Sequence, residues 1–258
     1  MNYKNLIIRS FSVAMMLPVL LLVWLENNFF YVVIVGVGLS LINETINLSK
    51  KSKLDIKTNI EKLSFFILLI LITIPPLFKN NSYLLSLIFI IIYSILSFIK
   101  FRHNLFSFLF LMLILFSTFL SILVYKNNPT IILFLIIVNS TSDISAYIFG
   151  SFFKGPKIFP KISPNKTFSG SLSAVFCSII ISVYLQLGDT VYINIILGFL
   201  ISIFGQIGDL LESMFKRKQG VKDSGNFIPG HGGFLDRCDS LLLNTIFIFI
   251  PFYFNFIK

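Results

Sequence analysis

The sequence predicts an all-α integral membrane protein of about nine transmembrane helices, with a cytoplasmic N-terminus and a single polytopic domain over residues 1–258. Three observations predict it. Of the residues, 56% are hydrophobic and only 12% charged, where soluble domains run near a quarter charged. Apolar runs near the roughly 20 residues needed to cross the hydrocarbon recur along the whole chain. Lys and Arg gather in alternate connections between those runs, as cytoplasmic loops require.

The runs fall near 8–25, 28–47, 61–79, 82–99, 104–125, 130–150, 167–188, 191–214 and 239–257. The first follows Lys4 and Arg9 and resembles a signal peptide. However, Ser10–Trp24 leads into Glu26-Asn27-Asn28 without a small-residue cleavage pattern, so it reads as a retained span. The second carries Glu44 near its cytosolic end, where the side chain is expected to reach the interface. Pro75-Pro76 must kink or end the third. The remaining runs are separated by short polar connections, and no repeat or low-complexity linker divides them.

Charge tests the count independently. With nine spans and the N-terminus inside, 18 of the 21 Lys and Arg fall on the cytoplasmic side, and only Lys79, Lys126 and Lys258 fall outside. The net charge of +10 therefore reads as membrane addressing, with attraction for anionic head groups. Nucleic acid is not an expected partner, because the positive charges are spread among short loops. Cys177 and Cys238 form no CxxC pair and imply no disulfide framework.

Acidic residues are scarce, eleven in all, yet Asp209, Glu212, Asp223, Asp236 and Asp239 fall within 31 residues. The window from Gly205 to Ser240 also holds His231 and the basic residues Lys216, Arg217, Lys218, Lys222 and Arg237. If the eighth span continues helically through Phe215, Asp209, Glu212, Ser213 and Lys216 share a face. Asp236, Asp239 and Ser240 share another at the start of the ninth. Two helix ends would then present carboxylates suited to Mg²⁺, a hard cation that takes one or two carboxylates plus substrate phosphates. Gly230, Gly232 and Gly233 flank His231 and allow backbone N–H groups to approach an anion. The ninth helix begins just beyond, and a helix N-terminus favours phosphate.

A second cluster covers residues 143–170. Asp143 sits seven residues before the expected cytosolic end of its span, roughly 10 Å deep at 1.5 Å per residue. A carboxylate there needs a cation, a lysine or a metal, and a polar pair between helices is the plainer alternative. Ser163, Lys166 and Thr167 introduce the seventh span and could face the same cavity.

Ser213-Met-Phe-Lys216-Arg217, Lys222-Asp223-Ser-Gly and Pro229-Gly-His231-Gly-Gly-Phe-Leu-Asp236-Arg237-Cys-Asp239 together resemble the signature of phosphatidate cytidylyltransferases, the CDP-diacylglycerol synthases. Gly208-Asp209-Leu210, Asp143…Ala146-Tyr147…Gly150 and Ser163-Pro164…Lys166-Thr167 extend the likeness to roughly 60 residues. One position departs, since the family usually has Glu where this chain has Ser169 before Gly170. The resemblance implies that CTP and phosphatidic acid become CDP-diacylglycerol and pyrophosphate, with Mg²⁺, a monovalent cation such as K⁺ and a homodimer. A bacterial cytoplasmic (inner) membrane is expected, and the distribution of Lys and Arg turns the active site toward the cytoplasm.

Under that reading Asp209 and Asp236 hold Mg²⁺, with Asp223, Asp239 and Asp143 as further ligands or supports. Lys216, Arg217, Lys222, Arg237 and Lys166 are the candidate catalytic cations, with His231 beside them. Ser213, Gly230, Gly232, Gly233, Ser163 and Thr167 shape the substrate pocket. Two rivals remain: another CTP-dependent membrane enzyme such as a polyprenol or dolichol kinase, and a transporter with broken helices. The transporter should show paired halves, which the sequence lacks. The aspartate run of CDP-alcohol phosphotransferases is also missing.

Overall fold

In lipid every backbone N–H and C=O must be satisfied within the chain, so long apolar runs have little choice but to become helices. The computed structural model describes residues 27–51, 59–78, 83–101, 105–225 and 232–257. They form α1 (Asn27–Lys51), α2 (Asn59–Phe78), α3 (Tyr83–Phe101), α4 (Leu105–Asn127) and α5 (Pro129–Phe153). A hairpin of β1 (Lys157–Phe159) and β2 (Ser163–Thr167) follows, then α6 (Phe168–Leu185), α7 (Val191–Lys218) and α8 (Leu235–Tyr253). Among the described residues, five helical stretches are long and apolar enough to cross a membrane: Phe29–Ser49, Phe106–Lys126, Pro129–Phe153, Phe168–Leu185 and Val191–Lys218. The chain is a nearly all-helical integral membrane protein, with one two-stranded ribbon among the described residues. The expected first span, 8–25, lies outside the described residues.

The hairpin corrects the expectation of helices alone. Residues 154–166 are too polar and proline-rich to extend either neighbouring helix, and antiparallel pairing of Lys157 with Thr167 and Phe159 with Ser163 satisfies the backbone instead. Pro164 is tolerated because an edge strand can spare an N–H. The breaks are locally encoded. Asn128 caps α5 through its side-chain oxygen, with Pro129 at the first helical position, and Lys154 ends the helix in a left-handed conformation (φ 46°). Thr167 caps α6 by accepting from the Gly170 N–H at 3.2 Å.

The chain divides into two compact units. One comprises Met1–Ile122 with Lys218–Arg237, the other Leu123–Arg217 with Cys238–Lys258. In the first, Ile42, Ile46, Phe65, Leu69, Leu111, Ile114 and Phe119 are buried. Gly38 lets α1 meet α2 and α4, since a Cβ there would stand 2.7 Å from Leu69 and 3.0 Å from Thr118. Ser64 and Tyr93 join α2 to α3 by a 2.8 Å hydrogen bond.

In the second unit, Val124, Ile131, Phe134, Leu135, Val138, Leu197, Ile201 and Ile248 form the apolar core. Lipid tails are as apolar as leucine, so helix association in a membrane leans on close packing of small residues and on hydrogen bonds. Both are present. A Cβ on Gly198 of α7 would stand 2.7 Å from the Ile179 Cα of α6. Asn139 of α5 donates to the Ser240 hydroxyl at 2.6 Å and accepts from the Asn244 amide at 3.0 Å. Ser142 meets Ser202 at 3.0 Å, and Ser171 bonds Gln206. These ties fix α5, α6, α7 and α8 around one polar end.

Candidate active site

In the second unit, α7 continues as a helix to Lys218, which places Asp209, Glu212, Ser213 and Lys216 on one face as their spacing requires. Gly208 precedes them for a steric reason. A Cβ there would lie 2.6 Å from the Asp239 carbonyl oxygen and 3.1 Å from the Ser240 Cα, so only glycine lets α8 approach this closely. The approach groups Asp209, Glu212 and Asp239: each offers an oxygen, and the three oxygens lie within 4.8 Å of one another.

Cations surround the group. Lys166, on β2, reaches Asp209 at 2.7 Å and the Gln206 carbonyl at 3.4 Å. Lys216 pairs with the fully buried Glu212 at 2.6 Å. Ser213 donates to Asp209 at 3.3 Å, and the Ser240 N–H donates to Asp239 at 2.7 Å. Arg217 donates to the Ile162 carbonyl at 3.3 Å, which fastens the hairpin turn to the end of α7. Three carboxylates face two ammonium groups, and Asp143, exposed on α5, adds its negative charge to the field at Asp239. Like charges packed this closely disfavour one another. The donor set is hard oxygen with surplus negative charge, and it fits a divalent cation such as Mg²⁺.

The hairpin and α6 place the rest of the second cluster. Ser163 pairs with Phe159 in the ribbon. Ser169 meets the Thr167 hydroxyl at 3.2 Å and accepts from the Gly155 N–H at 3.3 Å, so the residue that departs from the family pattern ties the hairpin to the head of α6. An apolar groove of about 440 Å³, lined by Phe149, Phe153, Leu172 and Phe176, opens beside Ser169 and Ser173.

The first unit holds the other half of the signature. Asp236 accepts from the Ser224 N–H at 3.0 Å, the Ser224 hydroxyl at 3.0 Å and the Gly233 N–H at 2.9 Å. The sequence reading names both Asp236 and Asp239 among the metal ligands; Asp239 is grouped with Asp209 in the second unit, and Asp236 belongs to the first. Gly232 has φ +83°, and a Cβ there would stand 2.5 Å from the Asp236 carboxylate. Lys222, Asp223 and Arg237 are exposed. Gly230 and His231 lie outside the described residues.

Glu44 also differs from its sequence reading. It is turned inward rather than toward the interface, with 9% exposure, and it accepts from the Phe234 and Leu235 N–H groups at 2.9 and 3.0 Å. The N–H groups at the head of α8 are therefore engaged by protein carboxylates. The sequence reading assigned them to phosphate. Sequence reasoning passed over Glu44 and left Glu212 out of the metal set. Glu212 was legible from its i, i+3 spacing to Asp209. The signal for Glu44 was an acidic residue within an apolar helix, which is costly without a partner.

A family model described as the cytidylyltransferase family matches residues 7–255 of the chain. Curated relatives named phosphatidate cytidylyltransferase align over 116 residues. Those of Staphylococcus epidermidis are 47% identical, that of Staphylococcus haemolyticus 44% and those of Staphylococcus aureus 45%. Each alignment takes in 42% of this chain and 45% of the relative, so the chain spans under half the length of the curated relatives it matches.

Proposed function

Because the chain belongs to the cytidylyltransferase family, we propose that it transfers a cytidylyl group from CTP to phosphatidic acid. The products would be CDP-diacylglycerol and pyrophosphate. The observation that carries the reading is the group of Asp209, Glu212 and Asp239, flanked by Lys166 and Lys216. The printed name of the staphylococcal relatives supports the lipid acceptor.

The chemistry asks for little covalent help from the protein. A phosphate oxygen of the lipid, already ionised near neutral pH, attacks the α-phosphorus of CTP. A new P–O bond forms, the bond to the β-phosphate breaks, and the electron pair leaves with pyrophosphate. Alignment and charge stabilisation then dominate the rate. Asp209, Glu212 and Asp239 would hold Mg²⁺, which when bound neutralises charge on the phosphates. A monovalent cation such as K⁺ belongs to the same proposal.

Lys166 and Lys216, released in part from their carboxylates by a bound cation, would turn to phosphate oxygens. Arg217 would add charge-assisted hydrogen bonds to the same anions, and Lys222 and Arg237 keep the phosphate-binding role that the resemblance implies. Ser213 and Thr167 would orient their neighbours, and Asp143 would add to the field at Asp239. The apolar groove beside Ser169 suits an acyl chain. Nine spans, a cytoplasmic N-terminus and a cytoplasm-facing site complete the proposal, on the strength of the Lys and Arg distribution. So does the homodimer that the resemblance implies.

Purified protein in detergent, given radiolabelled CTP, phosphatidic acid and Mg²⁺, is expected to release pyrophosphate and label a CDP-lipid. Appearance of CDP with a newly phosphorylated alcohol would instead identify a kinase. Absence of any CTP turnover would sink both enzyme readings.

A further inference from the structure

α1 carries a single acidic residue, Glu44, in an otherwise mostly apolar helix. Its carboxylate receives three donors from far along the chain: the Phe234 and Leu235 N–H groups and the Ser224 hydroxyl, the last at 2.9 Å. The first N–H groups of any helix lack intrahelical partners, and a Ser, Thr, Asp or Asn at its head ordinarily supplies one. At the head of α8 stand Gly233 and Phe234, which have no side chain able to cap. Asp236 reaches back to the Gly233 N–H, and Glu44 takes the next two. The cap is imported from another helix.

The surroundings are built to it. A buried carboxylate is costly unless hydrogen-bonded, and here several donors converge on it. Gly233 leaves the space that Glu44 and Ser224 occupy, since a Cβ at 233 would collide with both. A Cβ at Gly225 would stand 3.3 Å from Glu44 Oε1. The one Ser224 hydroxyl proton is shared between Glu44 and Asp236, at 2.9 and 3.0 Å from the oxygen, so the two carboxylates are linked through it.

We propose that Glu44 is a positioning residue. From α1 it anchors the head of α8 and, through Ser224, the carboxylate of Asp236, so that the polar first turn of α8 is held in one orientation. Its kinetic consequence rests on the cytidylyl-transfer reading; the anchoring does not.

The test compares Glu44→Ala, Glu44→Gln, Ser224→Ala and, as a control on the same helix, Thr45→Ala with the unaltered protein. Hydrogen exchange is expected to rise about tenfold at the Phe234 and Leu235 amides of Glu44→Ala, with the α5 and α6 amides unchanged. The kcat/KM for CTP should fall about tenfold or more while the thermal midpoint stays within a few degrees. Glu44→Gln keeps one acceptor oxygen and should restore part of the activity. Thr45→Ala should behave as the unaltered protein.

If Glu44→Ala does not fold, Glu44→Gln and Ser224→Ala decide by the same two readouts. Unchanged exchange at Phe234 and Leu235 overturns the anchoring. Raised exchange with kcat/KM within about twofold of the unaltered protein overturns the positioning role. If the unaltered protein turns over no CTP, the cytidylyl-transfer reading fails, and exchange alone still decides the anchor.

Discussion

Lys216 and Glu212 show how much a single pair can carry. Glu212 is fully buried, and Lys216 sits four residues on at 2.6 Å. Removing one partner of such a pair leaves an uncompensated charge and costs about 3–5 kcal/mol. Lys216→Met is therefore expected to lower the thermal midpoint sharply in chelator, where no added cation can replace the ammonium. The double variant Glu212→Leu/Lys216→Met should recover much of that loss. Gly208 makes a second test, because the atoms that an added Cβ would meet belong to the α8 backbone. Overpacking of this kind costs about 1–3 kcal/mol. Gly208→Ala is expected to raise the Mg²⁺ concentration needed for half-maximal CTP turnover, since it displaces Asp239 from Asp209 and Glu212.

At the scale of elements, much was legible because helix caps and small-residue faces are local signals. Asn128-Pro129 is such a signal for α5, though the sequence reading did not use it, and the i, i+3, i+4 spacing of Asp209, Glu212, Ser213 and Lys216 became a real face once α7 ran through to Lys218. The hairpin was not legible. Pro160 and Pro164 read as loop, and a strand of three residues has no hydrophobic period to detect. The meeting of Asp239 with Asp209 and Glu212 was equally hidden, because it depends on where Gly208 lets α8 touch α7. The cap of α6 offers a check on local encoding. Thr167→Ala should cost about 1 kcal/mol, with Thr167→Ser close to neutral, as thermal denaturation can measure.

For the molecule as a whole, the apolar content and the split of Lys and Arg across alternate loops made the membrane class plain before any helix was seen. What could not be read was which distant residues would meet. Glu44 and Leu235 are 191 positions apart, and no periodic pattern reports such a contact. Orientation can be measured directly. Lys157→Cys, in the hairpin, should react with an impermeant thiol reagent in inside-out vesicles, and Asp189→Cys, in the turn before α7, only in right-side-out ones. Labelling of both from one face would overturn the nine-span topology.

The imported cap on α8 also sets an order in time. Synthesis proceeds at roughly 5–20 residues per second, so Glu44 leaves the ribosome roughly 10–40 s before Leu235, 191 residues later, can meet it. Until then its carboxylate must stay hydrated or find a temporary partner, because lipid offers it none. A nascent chain that stalls before α8 never supplies the donors. Closure of this one contact thus reports that the polypeptide has been made through to its last described helix.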